Sequence, residues 1–192
     1  MISAPGAGTA PLVLVEPSLG NLDGYAAALG RGWSPSNLRD VSQEQLAAIA
    51  DDPAGFVRAL LRSTGTIRLG DGREVPRLPG PVRWMWDGGF CGAIKLRHVP
   101  GTEALPAHVS GHIGYAVVPW KRRLGYAKAA LGMMLPLAVQ AGLRHVDLTC
   151  DDDNRPSQKV IEAHGGRLAW RGPDPDRPGG DKLLFRIVLA RG

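Results

Sequence analysis

The sequence lacks most of the features that mark secreted and membrane proteins. Only two of its 192 residues are cysteines, Cys91 and Cys150, each inside an apolar run, and a disulfide framework needs more. No apolar run reaches the roughly 18 residues that cross a bilayer, and residues 1–9 have neither the basic nor the apolar region of a secretion signal. We therefore expect a reduced, cytoplasmic protein with buried thiols and no membrane partner.

Acidic residues are outnumbered, with 18 Asp and Glu against 23 Lys and Arg, for a formal net charge of +5. Such an excess suits a nucleic acid, an anionic membrane surface or an acidic small ligand. Four basic residues crowd one segment, namely Lys121, Arg122, Arg123 and Lys128, while the others are scattered. We find no face on which aromatic and basic residues interleave, so the pattern favours a phosphorylated ligand over nucleic acid. A merely solvated patch remains open on charge alone.

The length favours one domain, which we place at residues 11–192 after a flexible tail at residues 1–10. Residues 64–81 are rich in Gly and Pro, which predicts an irregular segment. Strands interleaved with late crossover helices predict an α/β (α+β) fold with a mixed sheet. The predicted strands are 12–16, 82–87, 90–98, 112–118, 145–150, 167–170 and 182–190, and the predicted helices are 19–30, 43–50, 54–62, 125–142 and 156–164.

Several helices carry specific predictions about their ends. Ser42, with Gln45 three residues later, has the pattern of a capping box. Asn154 or Asp153 is a suitable cap for the last helix. Pro136 lies inside the longest predicted helix and should kink it or end its first segment, because proline lacks a backbone donor.

The most informative stretch joins a strand that stops at Pro119 to a helix that opens at Gly125, through a basic turn. A helix N-terminus has unpaired amides and about half a positive charge. Gly125 and Ala127 are small, so a phosphate could approach the backbone while basic side chains close over its oxygens. The spacing fits neither a P-loop nor a dinucleotide fingerprint. The alternative is a basic loop before an ordinary helix.

Residues 122–127 read Arg-Arg-Leu-Gly-Tyr-Ala and resemble the [QR]-x-x-G-x-[GA] signature of the GNAT superfamily of N-acetyltransferases. Residues 111–119 look like that family's central strand. Residues 151–154, with the later Gly165-Gly166, are similar to its asparagine-helix-glycine block. The resemblance covers residues 82–170, and in detail it points to a little-characterised branch of predicted bacterial acetyltransferases.

The resemblance implies a GNAT-like, mixed and mostly antiparallel central sheet with splayed central strands and flanking helices. It implies transfer of an acetyl group from acetyl-CoA to a primary amine of a small molecule, protein or peptide, without a metal. Amides of the basic turn would hold the pyrophosphate, the central strand would pair with pantetheine, and an asparagine would bond the pantetheine arm. The implied cofactor-binding residues are Tyr115, Val117, Val118, Arg122, Arg123, Gly125, Tyr126, Ala127, Lys128 and Asn154.

The acid that protonates the leaving thiolate is the least certain part of the resemblance. Relatives often place a tyrosine seven residues after the asparagine, but Ile161 stands there and cannot donate a proton. Ser157, expected near the thioester, is the candidate acid, directly or through water. Tyr115 and Tyr126 are also within the site, although a packing role is more typical for both.

The candidate base is His112, which stands where relatives often carry a glutamate on the central strand. An imidazole with a pKa near 6.5 suits the removal of an ammonium proton at neutral pH. The alternative is a half-buried histidine satisfied by a backbone partner. A backbone amide near Val117 could stabilise the oxyanion, and Glu103 and His108 lie in a loop that could border the acceptor.

Other interpretations remain open on the sequence alone. Without the usual tyrosine, the chain could be a catalytically inactive CoA-binding sensor or regulatory module. Residues 151–153 are three acids, but a metal site needs further ligands at defined geometry, so we expect no metal. The late strands could pair across a homodimer.

Overall fold

The computed structural model describes residues 10–36, 39–69, 72–174 and 177–190. The predicted tail therefore lies outside the described residues, apart from Ala10. The elements, in chain order, are β1 (Val13–Val15), α1 (Leu19–Gly30), α2 (Ser42–Asp51), α3 (Pro53–Leu61), β2 (Thr66–Arg68), β3 (Glu74–Pro76), β4 (Val82–Trp86), β5 (Phe90–Leu96), β6 (Ile113–Val117), α4 (Tyr126–Gln140), β7 (His145–Asp151), α5 (Arg155–Glu162), β8 (Arg167–Pro173) and β9 (Asp181–Val188).

The strands form two main antiparallel sheets, in the orders β1-β4-β5-β6 and β7-β9-β8, with β2 and β3 as a separate pair. The sheets meet just before β6, where the amide of His112 donates to the carbonyl of Asp147 at 2.7 Å. Beyond that point no backbone pairing joins β6 to β7 in the described chain, so their edges lie open to each other. This α/β arrangement of antiparallel sheets with flanking helices confirms the predicted fold class.

Helices cover both faces of the first sheet and divide the core in two. On one face, Leu131 and Met134 of α4 and Ile161 of α5 pack with the buried side of β7 and β9. On the other, Tyr25 of α1 stacks on Trp84 of β4, with ring centroids 4.8 Å apart. Because side chains alternate along a strand, each residue of β5 and β6 belongs to one of these two faces.

Residues 64–81 are more regular than expected, since they contain the antiparallel pair β2–β3, in which Ile67 faces Val75. The capping-box prediction is wrong as well. Ser42 is itself helical and buried, its amide is satisfied by the Asp40 carboxylate at 2.8 Å, and the Gln45 side chain accepts from Tyr25 instead. A tertiary contact with α1 has therefore taken the Gln45 side chain, which the local pattern assigned to capping.

The helix α4 runs unbroken through Pro136, so the predicted end of its first segment is also wrong. Pro136 lies on an exposed face, where water can replace the missing backbone donor. Asn154 caps α5, as predicted, by accepting from the amide of Ser157 at 3.1 Å. Both cysteines are free and buried.

Candidate active site

The turn between β6 and α4 presents a run of free backbone amides. Residues 119–121 form a single 3-10 turn, and Arg123 and Gly125 follow with φ values of 65° and 80°. No side chain caps the first residue of α4. Within the described residues, the amides of residues 123–128 donate to no backbone carbonyl. A left-handed non-glycine residue costs on the order of 1 kcal/mol, so this turn is built to expose N–H groups that an anion can accept.

Basic side chains surround these amides, and three of them are available to a ligand. Arg122, Arg123 and Lys128 are exposed and form no ion pair with any described carboxylate. Arg122 makes one long contact, from its Nε to the carbonyl of Val117 at 3.4 Å. Lys121 differs, because its Nζ donates to the buried carboxylate of Asp87. The turn thus offers donors and positive charge together, which fits a pyrophosphate.

Asp87 anchors the turn to the rest of the sheet and was missed by the sequence analysis. It lies at the end of the β4–β5 hairpin and accepts from Lys121 and, at 2.6 Å, from the phenol of Tyr126. Burial alone would raise the pKa of Asp87, but the donors, Lys121 and Tyr126 foremost, bring it to about 2. The bond to Asp87 in turn raises the pKa of Tyr126 to about 12. Preceding Gly88-Gly89, Asp87 had the pattern of an ordinary turn residue.

The edge of β6 that faces β7 has backbone N–H and C=O groups that do not pair with β5. The amide of Val118 donates to the carbonyl of Cys91 at 3.0 Å, and its carbonyl accepts from Lys121. By the alternation of an antiparallel pair, Tyr115 and Val117 then direct their N–H and C=O groups away from β5. These two residues could pair with an extended ligand, whereas both backbone groups of Val118 are already in use.

The side chain of Tyr115 spans the opening between the two sheets. Its Oη lies 2.8 Å from Oγ of Ser157 in the first turn of α5, so the two hydroxyls share a hydrogen bond. Burial raises the pKa of Tyr115 to about 12. Cys150 lies beside the pair, and burial raises the pKa of its thiol to about 11. Ile161, by contrast, is fully buried among core residues.

His112 lies at the junction of the two sheets and has no exposed surface. Its Nδ1 accepts from the amide of Asp147 at 2.9 Å, and its Nε2 has no hydrogen-bond partner in the described structure. Burial lowers the pKa of His112, an effect that the Asp147 carboxylate opposes. The imidazole of His112 thus accepts from the Asp147 amide in place of a backbone carbonyl, at the point where β6 and β7 separate.

The remaining predicted candidates are held by ion pairs or lie apart from the turn. Glu103 binds Arg144 through both carboxylate oxygens, at 2.8 and 3.1 Å. Residues 151–153 are likewise paired with basic side chains, and no group of three potential metal ligands occurs among the described residues. None of the described helices has the length and apolar character needed to cross a bilayer.

A free-amide turn at the open edge of an antiparallel sheet defines an α/β protein that binds a phosphorylated cofactor. The model of the acetyltransferase (GNAT) family matches residues 50–165, more than half of the sequence. The chain therefore belongs to the acetyltransferase (GNAT) family, which confirms the resemblance and makes the protein an acetyltransferase. No curated protein sequence matches the chain significantly.

Solved structures agree with the family at the level of fold. RimJ of Mycobacterium smegmatis, solved with CoA-disulfide, is 21% identical, with a TM-score of 0.64 over 93% of this chain and 82% of its own. The Salmonella typhimurium acetyl transferase that modifies the N-terminal serine of ribosomal protein L7/L12 is 13% identical, with a TM-score of 0.61 over 97% and 98%. The yncA protein of Salmonella typhimurium, solved with acetyl-CoA, is 14% identical, with a TM-score of 0.57 over 95% of each chain.

Proposed function

We propose that the protein transfers an acetyl group from acetyl-CoA to a primary amine by direct attack of the amine on the thioester. The observation that carries this proposal is the run of free amides at residues 123–128, placed next to the open edge of β6. The two features together match a ligand with a pyrophosphate at one end and an amide-containing arm at the other. Structural neighbours solved with CoA-disulfide or acetyl-CoA support the choice of donor.

Backbone groups supply most of the binding. The amides of Arg123, Gly125, Tyr126, Ala127 and Lys128 hold the pyrophosphate, and the side chains of Arg122 and Lys128 neutralise its charge. The pantetheine arm then extends β6 by pairing with the free backbone groups of Tyr115 and with the carbonyl of Val117, which leaves the N–H of Val117 free. Asn154 has its Oδ1 committed to the cap of α5, so its amide nitrogen is the group left for the arm.

For catalysis we assign the acid to the hydroxyl pair of Tyr115 and Ser157. The amine nitrogen bonds to the acetyl carbon, the carbon–sulfur bond breaks, and the leaving thiolate takes a proton from Tyr115 while Ser157 orients the phenol. The amine loses its own proton to water at the open edge. A free amide of Val117 is the donor for the oxyanion. The pair of Tyr115 and Ser157 lies in the gap between the two sheets. Ile161 stands at the position of the tyrosine that relatives often use, and it cannot donate a proton.

His112 is better suited to positioning than to proton transfer. It has no exposed surface, and its Nδ1 is bound to the amide of Asp147. We therefore assign it the role of holding the junction from which β6 and β7 separate, in place of the base expected from the sequence. His112 would therefore affect the reaction by setting the width of the opening between β6 and β7.

Two measurements test the proposal. Thermal unfolding with acetyl-CoA at 100 times its dissociation constant should show about 2.7 kcal/mol of stabilisation. The effect should be weaker in the variant Arg122→Ala and preserved in Arg58→Ala, which removes an exposed arginine from α3. Thiol release across a panel of amines then tests transfer. Stabilisation without release from any amine would point to a regulatory module, and absence of both would refute the proposal.

A further inference from the structure

A second polar site lies near the start of β6, away from the phosphate turn. It is a cavity of about 100 Å³, bounded by the β2–β3 pair, the end of β5 and the segment around His108. Its polar lining consists of Arg77, Lys95, Arg97 and His108, and apolar side chains that include Ile67 complete it. None of its lining residues is acidic.

The cations of this cavity have no counter-charge. Arg77, Lys95 and Arg97 form no ion pair with any described residue, although all three are partly buried. Elsewhere in the described chain, partly buried cations are paired: Lys121 binds Asp87, and Lys182 binds Asp174 at 2.7 Å. Buried charges are normally paired or hydrogen-bonded, because taking an unpaired charge out of water is unfavourable.

Two local observations favour binding of an anion here. The Nε of Arg77 is buried and has no hydrogen-bond partner among the described residues, whereas most buried polar atoms have one. Burial, with the nearby charges of Arg77 and Arg97, lowers the pKa of Lys95 to about 8. A ligand with negative charge would relieve both problems at once.

The cavity lies on the side of the sheet that would be left for an acceptor. Lys95 shares its face of β5 with Ala93, which packs against the core of α1. This is the face opposite α4 and α5. Arg97 is fixed by its Nε, which donates to the carbonyl of Gly111 at 2.8 Å. Its Nη2 lies 3.4 Å from the position that a side-chain carbon on Gly114 would occupy.

The cavity lies close to the proposed transfer site along β6. Gly114 precedes Tyr115 and lies three residues before Val117, so about 3 to 10 Å of strand separates Arg97 from the proposed thioester position. The cavity holds about three water molecules at about 30 Å³ each. That volume accommodates one carboxylate or phosphate group.

We propose that Arg77, Lys95 and Arg97 bind an anionic group of the acceptor, a carboxylate or a phosphate, so that the enzyme prefers amines that carry such a group. This inference rests on the proposed acetyl transfer for the amine end of the acceptor. The binding of the anion itself stands on the cavity alone. Selection arises because a neutral acceptor would leave the three cations unpaired.

Anion binding is tested first, without catalysis. Thermal unfolding is followed with inorganic phosphate and, separately, acetate, against chloride at equal ionic strength, with CoA present to fill the phosphate turn. The wild type should be stabilised by at least one anion, and Lys95→Met should lose that binding at least tenfold. Arg68→Met, which removes a cation of β2 outside the lining, should bind as the wild type does. Equal stabilisation of Lys95→Met, or no stabilisation of the wild type, would overturn the site.

Acceptor preference is tested with amine pairs that differ in one group. The pairs are 4-aminobutyrate with its amide, 6-aminohexanoate with its amide, and phosphoethanolamine with ethanolamine. The anionic member of a pair should have a kcat/KM about 10- to 100-fold higher, a range typical of charge-assisted hydrogen bonds. In Lys95→Met this ratio should fall towards one.

The outcomes separate the two proposals. Thiol release with equal rates for both members of every pair would overturn the anion site and leave acetyl transfer intact. Absence of thiol release and of acetyl-CoA binding would overturn acetyl transfer, and phosphate or acetate binding would then decide the cavity by itself. Arg97→Met provides a second variant. Urea unfolding of each variant shows that it is folded before its binding is compared.

Discussion

The variant Lys95→Met should make the ligand-free protein more stable near neutral pH. Burial and the neighbouring Arg77 and Arg97 lower the pKa of Lys95 from its usual 10.5 to about 8. Each pKa unit corresponds to about 1.4 kcal/mol, so the charged lysine destabilises the folded state by at most about 3.5 kcal/mol. Methionine has a similar length and no charge, and it removes this penalty.

The sign of the effect with pH is fixed by the direction of the shift. Because the pKa of Lys95 is lower in the folded state, the penalty is fully present below pH 8. Between pH 8 and 10.5 the unfolded chain binds more protons than the folded one, so wild-type stability gains from rising pH. The advantage of Lys95→Met should therefore be greatest at pH 7 and shrink steadily to its smallest value near pH 10.5.

Urea unfolding of both proteins from pH 7 to 10.5 measures this difference. Tris and ethanolamine are suitable buffers, because neither carries an anionic group that could occupy the cavity. The thiols of Cys91 and Cys150 also titrate at high pH, but they are common to both proteins and cancel in the comparison. Lys159→Met, on an exposed part of α5, is the control. Parallel stability curves for Lys95→Met and wild type would refute the reasoning.

Three further predictions concern the transfer site. Tyr115→Phe should lower kcat about 100-fold with little change in KM, whereas Tyr25→Phe should not, and equal rates would exclude Tyr115 as the acid. Asp87→Asn should weaken acetyl-CoA binding about tenfold in calorimetry, because it loosens the turn; unchanged affinity would contradict that role. His112→Ala should leave the amide of Asp147 unpaired and lower stability by about 1–3 kcal/mol. Its kcat profile over pH 6–9 should keep its shape, and loss of a basic limb would instead identify His112 as the base.

Features that depend on residues close together in the chain were predictable from the sequence. The helix after the phosphate turn has apolar residues at helical spacing, and the structure places α4 at Tyr126–Gln140. The hairpin around Gly88-Gly89 and the cap at Asn154 were also correct, since each depends on residues close in the chain. The candidate site could be predicted from one turn, because strand, basic segment and glycine are contiguous there.

Features that depend on contacts between distant segments were not predictable. Asp87 reaches Lys121 and Tyr126 across more than 30 residues, and nothing in its neighbours along the chain signals an anchor. Ser42 and Gln45 had a capping pattern, yet the side chain of Gln45 accepts from Tyr25 of α1, which is distant in the chain. The burial of His112 followed from the junction of two sheets, which the sequence pattern does not specify.

The excess of basic residues acquires a more definite meaning once the ion pairs are known. Read from the sequence, it pointed to one phosphorylated ligand at residues 121–128. In the structure, the partly buried or clustered cations that lack a described carboxylate partner form two groups. One group lies at the turn after β6, and the other lies in the cavity that contains Lys95. The groups lie at opposite ends of the same open strand edge. If both ligands are anionic, they repel each other as they approach, and cations at each end would offset that repulsion. A site built this way favours the meeting of two negatively charged substrates.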